Sequence, residues 1–206
     1  MSLENYSEEF YMNILGYLGN RQLAPAPDLE KAVEECLDEV EKVSQFRYQW
    51  QQFDSLLPVL EKPAYREFLA GTSGYVLGVM TLGAAVDARS RAYSARDLAR
   101  MCVFDAVANA YLEYCADRYE ECFGENRTYR FCPGYRGTSV EDLKELFRIL
   151  KPEKIGVSLL DSCLMVPAKS MLGIVGLGKQ ARKDCDTCAL GGQCQYRREG
   201  RTCYGN

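Results

Sequence analysis

The stretch from Ser94 to about Cys122 reads as one long helix, and through Met101-Cys102-Val103-Phe104 it is apolar on nearly every face. A surface helix shows water one polar face, whereas a helix apolar all round has to be enclosed by other elements. This segment therefore belongs at the centre of a domain, with the rest of the chain arranged around it. Ser94, with Asp97 three residues on, is close to a capping box and marks the helix start. Down one side run Asp105, Asn109 and Glu113, spaced i, i+4, i+8. Such a stripe either satisfies buried backbone groups and meets solvent at one edge, or faces a ligand.

The flanking elements set the fold class. Residues 5–18 form a short helix, followed by a loop from Gly19 to Pro27. Asp28 caps the next helix, in which Leu29, Ala32, Val33, Cys36, Leu37, Val40 and Val43 fall at helical spacing. Its acidic outer face, Glu34, Glu35, Asp38, Glu39 and Glu41, reads as solvated. Phe46–Phe53 is a strand and Tyr75–Leu82 a buried strand, running into a strand-to-helix turn at Gly83–Asp87. Thr138 or Ser139 starts a helix over Val140–Leu150, with Glu141 and Asp142 near its positive end and Pro152 past its close. Ile155–Leu160 and Ser170–Leu177 supply the remaining strands. Strands and helices do not alternate regularly, so the expected class is α+β, a mixed or antiparallel sheet packed around the long central helix. The expected organisation is one domain over residues 1–178 and a cysteine-rich tail over 179–206.

Composition excludes several functions. At 206 residues the chain can bury about 70% of its unfolded surface. A net charge of −4 argues against a general nucleic-acid binder, which shows a basic face. Phe68–Val86 lacks charge, yet Gly71, Thr72, Ser73, Gly74, Gly78, Thr81 and Gly83 make it too polar and broken for a membrane span. Glu4, Glu8 and Glu9 stand where a secretion signal would be basic, which sets a cytoplasmic location as the expectation. The chain has no histidine, the commonest metal ligand and the usual neutral-pH base.

Chemistry concentrates between Arg130 and Gly178. Arg130-Phe131-Cys132-Pro133-Gly134-Tyr135 joins a planar, permanently charged group able to grip a carboxylate to a tyrosine across a Pro-Gly turn. Asp161-Ser162-Cys163-Leu164-Met165-Val166-Pro167-Ala168-Lys169-Ser170-Met171-Leu172-Gly173 follows. R-x-x-P-G-Y followed by D-S-x-x-M-x-P-x-x-S-x-x-G resembles the reactivation domain of cobalamin-dependent methionine synthase, the module that binds S-adenosylmethionine. The chain is similar to a short, free-standing branch of that family.

The resemblance implies a set of roles. Arg130 would hold the carboxylate end of S-adenosylmethionine, with main-chain contacts from Phe131, Cys132 and Gly134. Tyr135 would face the corrin at the reacting centre. Asn109 stands where the family has a ligand-contacting glutamate on the central helix, and an amide can bond a ribose hydroxyl but cannot pair with a cation. Glu125 substitutes for a glutamate six positions before the arginine, where this chain has Gly124. Val175 replaces a tyrosine near the adenine. The implied function is reductive remethylation of Co(II) cobalamin. The cobalamin is carried by a partner methyltransferase, methionine synthase, that lacks its own reactivation domain, and an electron-donor protein supplies the electron. A redox activator of another corrinoid protein and an interaction domain without ligand stand as alternatives.

Two further patterns need weighing. Gly173-Ile174-Val175-Gly176-Leu177-Gly178-Lys179 spells the first half of a phosphate loop, but Gln180 replaces the magnesium-binding hydroxyl. These glycines read instead as allowing close backbone approach at a strand end. Among the ten cysteines, Cys36, Cys102, Cys115, Cys122, Cys132 and Cys163 are scattered and read as free buried thiols. Cys185, Cys188, Cys194 and Cys203 cluster in the basic tail, and three readings stay open: an iron–sulfur cluster, zinc, or free or redox-paired thiols. Asp, Gly, Gln and Arg rather than core residues separate these four cysteines, so a metal centre is the expected source of order. Elemental analysis of protein isolated without oxygen should find one iron–sulfur or zinc centre per chain. Near-zero iron and zinc with four alkylatable tail thiols removes that reading.

Overall fold

The computed structural model describes residues 3, 6–19, 27–181, 195–198 and 200. In chain order the elements are α1 (Glu8–Tyr17), α2 (Pro27–Val43), β1 (Arg47–Phe53), α3 (Pro63–Phe68), β2 (Gly74–Thr81), α4 (Ala84–Ser94), α5 (Leu98–Glu120), α6 (Asp142–Leu150), β3 (Ser158–Leu159), β4 (Met165–Val166), β5 (Ser170–Leu177) and α7 (Gln195–Arg198). The class is α+β, as the pattern of the sequence implies, and the sheet is antiparallel throughout. Its strand order is β1-β2-β5, with β3 and β4 forming a separate small hairpin. Among the described residues no helix is long and apolar enough to cross a membrane.

Several expectations shift at element ends. Ser94 closes α4, with its hydroxyl donating back to the Arg91 carbonyl at 2.8 Å, and does not open α5. Asp97 alone caps α5, accepting from the Arg100 amide at 2.9 Å. Asp28 lies inside the first turn of α2, which Pro27 opens. The strand expected over Ile155–Leu160 shrinks to Ser158–Leu159, because a 3₁₀ turn at Pro152–Ile155 and left-handed Lys151 and Gly156 occupy the rest.

The described residues form two compact units, the division falling within α5 between Cys115 and Ala116. In the first, α2 packs with α4, and Val33, Cys36, Leu37 and Val40 are buried. The outer face of α2 is not wholly solvated. Arg100 pairs with Glu35 at 2.5 Å and Glu39 at 3.6 Å, and the Tyr93 hydroxyl donates to Glu39. Tyr6 stacks on Phe10 and meets Tyr114 edge-on, at centroid distances of 4.4 and 4.9 Å.

The second unit holds the sheet. All of β2 is buried, as its unbroken apolar run requires. Leu77, Val79, Leu172 and Ile174 point to one face and join Leu60, Tyr65, Phe131, Leu146, Leu150 and Val157 in the core. The segment before Pro133 adds itself to β5 through antiparallel bridges at Arg127–Leu177 and Phe131–Ile174. α6 is fastened by a buried carboxylate in its first turn: Asp142 accepts from the Tyr65 hydroxyl at 2.9 Å and from the Lys62 ammonium.

Six cysteines among the described residues are thiols outside any disulfide, but only Cys36 and Cys163 are buried, while Cys102 and Cys122 are exposed. Burial pushes the Cys36 thiol up to about 11, so it is a packing group and not a nucleophile. Replacing Asp142 by Ala should strand the buried Tyr65 hydroxyl and lower stability by about 2–3 kcal/mol. Urea unfolding at neutral pH measures this. Asp142→Asn should recover part of the loss, and an unchanged midpoint for Asp142→Ala would show that the tie contributes nothing.

Candidate functional site

The site begins with two glycines. Gly78 of β2 and Gly173 of β5 are cross-strand partners, so the sheet face opposite the core carries a bare patch. The Tyr48 ring lies over one and the aliphatic stem of Arg130 over the other. A Cβ on Gly78 would stand 2.3 Å from the Tyr48 hydroxyl oxygen, and one on Gly173 would stand 2.4 Å from Cγ and Cδ of Arg130. The string around Gly173 is therefore strand, and what approaches it closely is an arginine side chain. Backbone approach at the strand end is not what this glycine serves. Lys179, at the end of the string, donates to the Ala70 carbonyl at 2.7 Å.

Strand alternation puts Arg130 on this face. Phe131 exchanges hydrogen bonds with Ile174 at 2.9 and 2.8 Å and sends its ring into the core, edge-on to Tyr65 at 5.6 Å. Its neighbour Arg130 must then point the other way. The guanidinium donates through Nη1 to Glu120 at 2.7 Å and through Nη2 to Asp117 at 2.8 Å. Tyr48 donates to the other oxygen of Glu120 at 2.9 Å, and its ring stacks on Tyr119 at 4.4 Å.

Exposure divides this cluster. The side chains of Arg130 and Glu120 are 4% and 5% exposed, whereas Asp117 is 63% exposed. Burial raises the Glu120 carboxyl above its ordinary range, and the Arg130 charge opposes that rise. Burial, and then the Glu120 charge, push the Tyr48 phenol up, so its proton stays in place to be donated. Asp117, Glu120 and Tyr48 were not singled out from the sequence. The available signals were an acidic pair at i, i+3 on the last turns of the long helix, and a glycine inside each of two apolar strands.

Beyond Arg130 the chain turns sharply. Gly134 adopts φ 97, and its amide donates to Thr138 Oγ1 at 2.9 Å; that hydroxyl in turn donates to the Tyr135 carbonyl at 2.7 Å. Any side chain at Gly134 would lie 2.7 Å from Val140. Tyr135 projects from this turn and is 67% exposed. Cys132 is half-buried, and Glu125 is exposed on the loop leading to Arg127. The main-chain N–H and C=O of Phe131 are both engaged by Ile174.

Asn109 is half-buried in the first unit and donates to Asp105 at 3.2 Å. Val175 sits in β5 and is 1% exposed. Cys185, Cys188, Cys194 and Cys203 lie outside the described residues. Among the described residues no group of three or more His, Cys, Asp or Glu is placed to hold a metal ion.

No protein-family model matches the chain, and no curated protein matches it in sequence. The α+β fold itself has solved counterparts. The crystal structure of the MetH reactivation domain bound to AdoHcy superposes with a TM-score of 0.60 at 15% identity, over 98% of this chain and 85% of that one.

The geometry makes Arg130 a structural group whatever else it does. Arg130→Ala should cost about 3–5 kcal/mol in urea unfolding, because Glu120 is left buried without its cation. The double variant Arg130→Ala/Glu120→Ala should recover a measurable part of that loss. Additive single effects would show that the two side chains are not coupled.

Proposed function

We propose that this chain binds S-adenosylmethionine and acts as a reactivation module for a cobalamin-carrying methyltransferase, with methionine synthase the first candidate. The observation that carries the reading is a contrast within one turn. Arg130 and Tyr135 stand five residues apart, in a fold like that of a domain solved with AdoHcy bound, yet the Arg130 side chain is 4% exposed while Tyr135 as a residue is 67% exposed. A sheltered guanidinium suits a small ligand's carboxylate, and a projecting phenol suits contact with something carried by a partner.

The residues present fit the amino-acid end of such a ligand. Arg130 Nη2 already holds one carboxylate oxygen at 2.8 Å, and that carboxylate belongs to an exposed side chain. In the proposed reaction an external donor reduces the partner's Co(II) by one electron. The cobalt then takes the methyl group from the sulfonium, and the electrons of the broken C–S bond stay on sulfur. No side-chain acid, base or nucleophile is required, in keeping with a chain that has no histidine. Its contribution is orientation: Arg130 fixes the ligand's charged end, and the rigid turn sets where Tyr135 meets the corrin. Holding two reactants in line can contribute several kcal/mol.

A second reading, an interaction domain without ligand, draws on the internal carboxylates that fill the Arg130 fork and on a buried valine at position 175. Calorimetric titration separates the two, since the second reading expects no heat of S-adenosylmethionine binding. Under the first, Tyr135→Ala should keep the ligand dissociation constant within about twofold while slowing remethylation of Co(II) cobalamin on its partner. Loss of ligand binding with normal remethylation at saturating ligand would reverse the assigned roles.

A further inference from the structure

The two arms of the Arg130 guanidinium are held very differently. Nη1 reaches Glu120, a carboxylate buried beneath α5 and fixed a second time by the Tyr48 hydroxyl. Nη2 reaches Asp117, one helical turn earlier on the same face of α5, whose side chain is 63% exposed. Displacing Glu120 would strand a buried charge, which is costly. Displacing Asp117 returns its carboxylate to water by rotation of a short side chain, and an ion pair with one partner so exposed contributes little.

From this asymmetry we propose that Asp117 is an internal occupant of the ligand's carboxylate position. In the ligand-free chain it closes the outer arm of Arg130. On binding, the α-carboxylate of an amino-acid moiety takes its place, and the Glu120–Arg130–Tyr48 cluster stays intact beneath. Asp117 then sets affinity by competition, lowering it specifically for ligands that carry a carboxylate. The inference rests on the proposed ligand reading and adds to it a residue that lowers affinity when present.

The test is calorimetric titration of the purified full chain with two compounds. S-adenosylhomocysteine carries the carboxylate, and 5′-methylthioadenosine is the same nucleoside thioether without it. Asp117→Asn should tighten S-adenosylhomocysteine about fivefold, since an exposed pair contributes up to roughly that factor. Methylthioadenosine should change by less than about twofold. Glu121→Gln removes a neighbouring exposed charge that pairs with Arg118 at 3.9 Å, and it should alter neither ligand. If wild type binds S-adenosylhomocysteine and Asp117→Asn binds it equally or more weakly, the competition idea is overturned while the proposed function stands. Equal tightening of both compounds also overturns it, because the effect is then one of general charge. If neither wild type nor Asp117→Asn binds S-adenosylhomocysteine, the proposed function itself fails, and this inference with it.

Discussion

The second unit depends on a buried ion pair that sits on a glycine floor. Taking Arg130 and Glu120 out of water is expensive, and their mutual attraction offsets that only when the remaining hydrogen-bonding groups are satisfied. Here the second oxygen of Glu120 accepts from Tyr48, and the second arm of Arg130 reaches Asp117. Space for the pair exists because Gly78 and Gly173 face each other across β2 and β5. The cluster therefore joins β1, β2, β5, the last turn of α5 and the segment before Pro133. None of these is close to another in sequence except the last two, so the pair acts as a long-range staple between the sheet and the end of the helix.

That staple also explains how the Pro133–Gly134 turn is held. At one end, Phe131 is locked into the ladder with Ile174 while Arg130 is anchored on the opposite face. At the other, Thr138 closes the turn and α6 is tied down by Asp142 through Tyr65 and Lys62. The turn is short and fixed on both sides, so a side chain in its middle has a defined direction. Tyr135 occupies that middle position and projects outward. Under the proposed function, a rigid turn presenting this exposed aromatic group favours recognition of a second body, since little conformational freedom is lost on contact.

Much of this was legible in the residues. The apolar run of β2, the helical spacing of α2 and α6, and the long apolar helix each follow from local periodicity, and the structure has them within a few residues. The chemistry of Arg130 and Tyr135, and the Pro-Gly turn between them, singles these two residues out in the sequence; the structure puts the first in a buried ion pair and leaves the second exposed. What could not be read was pairing over distance. Nothing local says that Tyr48 and Glu120 share a hydrogen bond, or that Gly78 faces Gly173, because register is a property of two strands together. Ser94 misled for a related reason: serine back-bonds to a preceding carbonyl at a helix end as readily as it caps a helix start. Only the presence of α4 distinguishes the two. Cys102 and Cys122 misled because thiols are usually buried; the first lies on an exposed side of α5, and the second in the 3₁₀ turn Glu121–Phe123 that follows it, where no residue is buried.

Under the proposed function, Val175 bears on how tightly a nucleoside ligand is held. It lies on the same face of β5 as Gly173, two residues along, and is fully packed. The family that the motifs resemble has a tyrosine there, near the adenine. An aromatic contact contributes about 0.5–1.5 kcal/mol beyond the area it buries, so its loss weakens binding by a factor of roughly two to twelve. A charge-assisted hydrogen bond to the Arg130 fork contributes about 1.5–3 kcal/mol, which is the larger effect. Under the proposed function, affinity in this chain shifts from the base toward the amino-acid end of the ligand. Such a site discriminates by the carboxylate more than by the nucleoside, and Asp117, an exposed carboxylate already bonded to Arg130, is then a group that a carboxylate-bearing ligand has to outcompete.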